Sequence, residues 1–454
     1  MKRIHLSISL LFILATSSYG QVDILWSDIF PGIYYGIAVD SNNDIIVGGT
    51  VDYTGIEVKK FNNNGDVLWS KSYSGAYDIG NIVTDENNNI YVSVSSDPEF
   101  NIRILKLSQD GIVQWMSDSY TSSYSWATDI TTAPNGDIIA IGSDNADDGW
   151  AAMRVDQDGN IIWQNSYNPI SSDNMIAKSI ICDNEENIII VGVSGDYFAT
   201  IKCDNLGNII WHNEINYTTI YGSIGATGVV CDNDNNIYIV GSSSLDDNMR
   251  FVKYDTDGDI IFQYSGVQNY ACFDLVLYND TTIITGGGKG DVGTGLLTDI
   301  MIAAFNDGGD TLFNYINDIN YTDAIYRMAV DNEGYLVTVG QSSNQNQDDV
   351  LIMKFDIDLI TKVEEFSSYN AELSCYPNPS NDKCIISFFV DKKTRSNISV
   401  YNNMGHLVKT LINNEDLIGN IELYWNTTNI ANGTYYLKLE MGEATRTEKI
   451  IVTH

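Results

Sequence analysis

Residues 254–262 read YDTDGDIIF, and the fold turns on how that stretch is interpreted. Asp255, Asp257 and Asp259, two apart around Gly258, have the outline of a calcium loop. A helix–loop–helix calcium site needs glycine at its sixth position and a bidentate glutamate at its twelfth. Here glycine is fourth, and the twelfth residue is Gly266. The relatives of the stretch within the chain are FNNNGD (61–66), LSQDGI (107–112), VDQDGN (155–160), CDNLGN (203–208) and FNDGGD (305–310). All keep the glycine, while Asn62, Leu206 and Ile112 each replace one of the aspartates. A motif that keeps its glycine and gives up its carboxylates is a turn requiring positive φ, not a cation cage.

An aromatic stands four residues after every one of these glycines: Trp69, Trp115, Trp163, Trp211, Phe262 and Phe313. Trp26 occupies the same place in DILW, and the successive spacings are 43, 46, 48, 48, 51 and 51 residues. Each unit then runs through a Tyr- and Ser-rich loop and a short apolar run ending in Asp (GIAVD, NIVTD, SIICD, GVVCD, RMAVD). An Asn-rich turn, a run closing on glycine (DIIVGG, NIIIVG, NIYIVG), a variable loop and a third run (IEVKKF, ATIKC, LIMKF) complete it. Runs of four to seven residues rich in Ile, Val and Tyr between turn residues are strands, and no segment sustains a helical period. Four short strands per unit of roughly 45 residues is the blade of a β-propeller. The seven aromatic strands and seven inner sets pair completely only if residues 23–28 supply the outer strand of the last blade. The expectation is an all-β chain, a seven-bladed propeller over 21–360 whose ring is closed by its N-terminal strand. The D-x-x-G-N-I-x-V-x-G and K-x-D-x-x-G-x-x-x-W signatures over 23–358 resemble bacterial propeller repeats of large secreted and surface proteins.

The first twenty residues have a different character. Lys2 and Arg3 precede the apolar run Ile8–Ala15, with small and polar residues before Gln21. This reads as a cleaved export signal over 1–20, and no later stretch is apolar for the roughly 18 residues a membrane helix needs. Formal charge is −36, and −38 once the leader's two basic residues are gone. Such a surface repels nucleic acid and anionic membrane. Among six cysteines, Cys182 and Cys231 recur at one repeat position, whereas Cys375 and Cys384 flank a turn as a candidate disulfide pair. There is no CxxC, and of the four histidines only His212 lies in the repeats, so zinc chemistry and Ser-His-Asp catalysis are not expected. The expectation is no cofactor, no resident metal and a monomer. GKGDVG (288–293) matches G-x-G-x-x-G but no helix follows, so it is read as an inter-strand loop.

After Ile360 the repeat stops. A polar connector over 361–370 leads into SCYPNPSNDKCIISF, ISVYNNMGHLV, ANGTYYLKLE and TEKIIV. Strands alternating with Gly and Asn turns over 371–454 predict a small immunoglobulin-like sandwich. The YPNP opening (Tyr376, Pro377, Asn378, Pro379), the hairpin turn at Gly405, the strand through Gly433 and Tyr435, and the terminal run from Lys449 resemble the type A C-terminal sorting domain of the Bacteroidota type IX secretion system. That resemblance implies a partner, the type IX machinery, and passage across the outer membrane to the cell surface or the medium.

Function in the ring is expected on the face carrying the longer loops. Outer-to-inner connections bring Tyr35, Tyr77, Tyr124, Trp126, Tyr221, Tyr270 and Tyr326 there, with Tyr34 adjacent, and variable loops bring Asp148, Asp196 and Asp247. Aromatic faces stack on sugars and carboxylates accept hydroxyl hydrogen bonds, so this set suits a glycan or a surface protein. The competing reading has the tyrosines wedged between blades and the aspartates as solvated loop tips. The expected function is a non-catalytic binding and adhesion module. The alternatives are a secreted polysaccharide-degrading enzyme using carboxylates on the same face, and an inert spacer.

Overall fold

The structure, a computed structural model, describes residues 23–50, 55–96, 101–120, 125–144, 149–168, 175–195, 197–216, 225–243, 248–268, 270–291, 296–320, 322–344, 347–357, 373–402, 406–428, 430–441 and 444–454. The leader and the 361–370 connector therefore lie outside the described residues. The chain divides into two compact units, Met1–Lys362 and Val363–His454. Among the described residues there is no helix long and apolar enough to cross a membrane.

The first unit contains seven four-stranded antiparallel sheets. Six are consecutive in the chain, beginning with Ile33–Val39, Ala76–Thr84, Ser125–Thr132, Met175–Cys182, Ala226–Cys231 and Tyr270–Tyr278. The seventh takes Thr322–Val330, Leu336–Asn344 and Gln347–Asp356, and its outer edge is the first strand of the chain, Asp23–Pro31. Asp23 pairs with Asp356 and Pro31 with Asp349. Pairing the two chain ends leaves no sheet short of a strand and removes an edge that invites aggregation.

Seven apolar cores lie between neighbouring sheets. Tyr34, Ile45 and Phe61 of the first sheet, for example, pack with Val337, Val350 and Ile352 of the seventh. The second strand of the fourth sheet, apolar on both faces at Ile188, Ile189, Ile190 and Val191, is buried from both sides. Gly288–Asp291 extends the strand Thr282–Asp291 of the sixth sheet, where a loop was expected from the GKGDVG pattern.

The opening motif is the latch between sheets. Asp255 Oδ1 accepts the backbone N–H groups of Asp257 and Asp259 at 3.0 and 2.9 Å, and Gly258 has φ +88°. The aspartate thus spends its lone pairs on the turn. Trp211 Nε1 of the preceding sheet donates to the Thr256 carbonyl at 3.1 Å, and a Cβ on Gly258 would stand 2.9 Å from that indole. The same bond joins Trp26 to Asn63, Trp69 to Gln109, Trp115 to Gln157 and Trp163 to Asn205. Glycine and tryptophan recur together because each indole lies flat on the next sheet's glycine turn.

The second unit, taken by itself, is a five-stranded sheet around its own core. Lys383–Asn402 and Leu407–Asn426 pair along their length, with a register break between Val390 and Thr394. That break lets one long hairpin fold over, so Ile386 and Phe388 of its first half share a core with Leu437 and Ile450. The expected sandwich is in this way built from one bent sheet. Cys375 and Cys384 form a disulfide across Cα atoms 6.1 Å apart.

Candidate functional site

The seven innermost strands share an irregularity at one place, and that of the second sheet has a further one at Ala76/Asp78. Register shifts fall at Tyr34/Gly36, Ile79/Ile82, Ala127/Asp129, Ala177/Ser179, Ala226/Gly228, Cys272/Asp274 and Ile325/Arg327. A bulge leaves an extra residue unpaired and re-aims its side chain. The residue preceding each bulge is buried in a sheet-to-sheet core: Tyr34, Ile79, Ala127, Ala177, Ala226, Cys272 and Ile325. The bulged residues are Tyr35, Gly80, Thr128, Lys178, Thr227, Phe273 and Tyr326, and all seven line one cavity of about 720 Å³. This cavity is the mouth of the central channel.

Its wall has two halves. Sheets six, seven and one contribute an aromatic arc: Phe273 meets Tyr326 at 5.5 Å between ring centroids, and Tyr326 meets Tyr35 at 5.3 Å. Sheets three, four and five contribute Thr128, Lys178 and Thr227. Between them, the second sheet has Gly80, where a Cβ would press on the Thr128 backbone at 2.8 Å. Trp126, about half exposed, Asp78 and the buried Asp144, whose carboxylate accepts the Tyr120 hydroxyl, complete the lining. Asp78 accepts from the Ile79 N–H and from Thr50 Oγ1, and burial raises its pKa despite those bonds.

The residues after the bulges in the third, sixth and seventh sheets form a polar cluster at the cavity. Asp129 accepts the Ile180 N–H (3.1 Å) and the Asn81 amide (2.8 Å), while Asp274 accepts the Met328 N–H (2.8 Å). Arg327 reaches between them, 3.9 Å from Asp129 and 3.8 Å from Asp274, and donates to the Thr128 carbonyl. Burial pushes Asp274 up to about 7, opposed by Arg327. Burial and the Arg327 charge both lower the pKa of Lys178.

The residues expected from sequence divide accordingly. Tyr35, Trp126 and Tyr326 meet at the cavity. Tyr77 and Tyr270 stand three positions earlier in the repeat than Tyr35 and do not line it; Tyr270 packs against the core of sheets five and six. Tyr34 is in the sheet-to-sheet core, its hydroxyl donating to Glu57. Tyr124, Tyr221, Asp148, Asp196 and Asp247 lie outside the described residues, as does Gly405 of the sorting motif. Sequence reasoning missed Lys178, Thr128, Thr227, Phe273 and Arg327. They stand five or four residues before the position at which the inner run ends, where nothing in the sequence marks a bulge.

In the C-terminal unit the matched elements from both ends meet. Asn378 Oδ1 accepts the Ile451 N–H at 2.9 Å, and its amide donates to the Lys449 carbonyl at 2.6 Å. Tyr435 donates to the Ala431 carbonyl at 2.7 Å and packs edge-on against Trp425, near the strand start at Gly433. Tyr376, Pro377 and Pro379 remain exposed beside this clasp.

Residues 374–453 match the secretion system C-terminal sorting domain family. The chain therefore ends in a sorting domain of the kind its YPNP and KIIV elements resemble, the address for export to the surface or medium. Virginiamycin B lyase from Staphylococcus aureus superposes with TM-score 0.51 at 13% identity, over 73% of this chain and 99% of that one. The structure of U3-55K gives 0.52 at 10% identity, over 72% and 98%. These likenesses show the propeller fold alone. PorZ, a surface component of the type IX secretion system of Porphyromonas gingivalis, covers 93% of this chain and 60% of its own at 10% identity, with TM-score 0.45. No curated protein matches the chain in sequence.

Proposed function

We propose that the propeller is a non-catalytic binding and adhesion module, displayed or released outside the cell, that takes a glycan or a surface protein at the mouth of its channel. The observation that supports this is the cavity, in which seven equivalent bulged residues and Trp126 converge with an aromatic arc on one side and polar groups on the other. Concave, mostly apolar sites with a few placed polar groups are where ligands bind, and aromatic faces suit sugar rings. The test is a screen of the full chain against oligosaccharides and matrix proteins. A ligand found there is expected to lose at least tenfold in affinity on Trp126→Ala, and unchanged binding would remove the cavity from the account.

A second reading has one observation behind it. Asp78 and Asp144 both line the cavity, and burial holds Asp78 toward its protonated form, as a general acid requires. Release of reducing sugar from a polysaccharide panel, abolished by Asp78→Asn or Asp144→Asn, would make the module an enzyme.

A further inference from the structure

The cations of the propeller differ in their partners. Arg327 sits between two carboxylates. Lys60, Lys202 and Lys354, on the third strands, each meet a buried aspartate at 2.6–3.1 Å. Lys178 points into the cavity and, among the described residues, meets no carboxylate within ion-pair distance and has no hydrogen-bond acceptor. Lys178 is only half-buried, and a chain carrying 60 acidic residues has placed no carboxylate beside its ammonium. The place for an anion next to Lys178 is open to the cavity and to nothing else described.

We infer that the ligand is an acidic glycan and that Lys178 receives the carboxylate of a uronic acid residue. This rests on the reading of the cavity as a glycan site. The two halves of the wall fit the two ends of such a residue. The Phe273–Tyr326–Tyr35 arc offers faces for the sugar ring, and across from it Thr128 and Thr227 flank Lys178 with hydroxyls. Asp78, half-buried in the lining, is placed to accept a ring hydroxyl. The strongly acidic surface repels a long polyanion, so the site takes a chain end or a short oligosaccharide, whose charge is neutralised inside the channel.

The experiment is isothermal titration calorimetry of the full chain with trisaccharides of galacturonate, glucuronate and mannuronate, their methyl esters, and neutral trisaccharides. The expected result is that at least one acidic trisaccharide binds and its methyl ester, the same size without the charge, binds at least tenfold more weakly. Lys178→Gln should weaken the acidic ligand at least tenfold, and Lys178→Arg should restore part of the loss. The thermal midpoint of Lys178→Gln should be no lower than that of the parent, because the half-buried ammonium has no intramolecular ion pair to lose. An ester that binds as well as its acid overturns the inference, as does Lys178→Gln within twofold of the parent. Binding of neutral trisaccharides alone overturns it while leaving the glycan site standing. Binding of no saccharide at all brings down both.

Discussion

At the scale of the residue, the channel is organised by one backbone position. A bulge turns one side chain of each inner strand away from the sheet-to-sheet core and into the lumen, and the next residue is left to satisfy freed backbone groups. That second role puts Asp129 and Asp274 in a dry place with one arginine between them. The consequence for Asp274 is measurable. An unfolded aspartate ionises near 3.8, whereas folding raises this one to about 7 through burial, partly opposed by Arg327 and the Met328 N–H, with the Asp129 charge adding to the rise. Between those values the native state holds a proton that the unfolded chain has released. The stability contributed by this group is therefore complete below about 3.8 and is lost as pH rises toward 7. The stability difference between the parent and Asp274→Asn, measured by urea unfolding from pH 4 to 8, should shift in favour of the variant across that window. A flat difference would show that Asp274 ionises normally. The repeat made the aromatic members Tyr35 and Tyr326 visible in the sequence, because large aromatics in loops draw attention. Lys178 and Thr227 stayed hidden, since a polar residue within an apolar run has no feature that tells a bulge from a solvated face.

At the scale of the element, each turn joins two sheets. The glycine turn accepts an indole from the preceding sheet, and its asparagine or aspartate closes its own backbone. Gly258→Ala faces both a left-handed φ and the Trp211 ring at 2.9 Å. Gly75 has nearly the same φ, +89°, with nothing within 4 Å of an added Cβ. The backbone cost, about 1–2 kcal/mol, is common to both. Gly258→Ala should therefore be the more destabilising in thermal unfolding, and equal losses would mean that the indole contact is not a constraint. The same end of the sheet holds a buried ion pair. Lys354 meets Asp331 at 2.6 Å, both essentially without solvent, and Lys354 also donates to Asn63 of the first sheet. The sixth sheet has Tyr278 and Ala304 at the two positions, so the fold tolerates a neutral pair there. Lys354→Met should cost about 3–5 kcal/mol in guanidinium unfolding by leaving Asp331 unpaired. Asp331→Asn with Lys354→Met should recover most of it, since asparagine keeps the bonds that Asp331 Oδ1 accepts from Glu333 and Tyr335. No recovery would place the loss in packing instead of charge.

At the scale of the whole molecule, two units with separate cores divide the work of the chain. Deleting residues 371–454 should leave the propeller's thermal midpoint within about 2 °C of the parent, since its sheet-to-sheet cores contain no residue of the second unit. The same deletion should hold the product inside the cell. Appearance of the truncated chain at the surface or in the medium would mean that export does not depend on the sorting domain.

The chain by itself determined its repeat, the strand assignments, the place of the aromatic and glycine in each unit, and the sorting elements at its end. These follow from local causes: β-branched runs, turns that demand positive φ, and a spacing counted along one dimension. Which residues share the channel was decided only in three dimensions. A one-residue bulge changes the face of a side chain without changing composition or spacing, so Lys178, Phe273 and Arg327 read as ordinary strand residues until seven strands stand in a ring. The partners of those residues are equally remote in sequence. Arg327 meets Asp129 across almost two hundred residues, and only closure of the ring brings them within 4 Å.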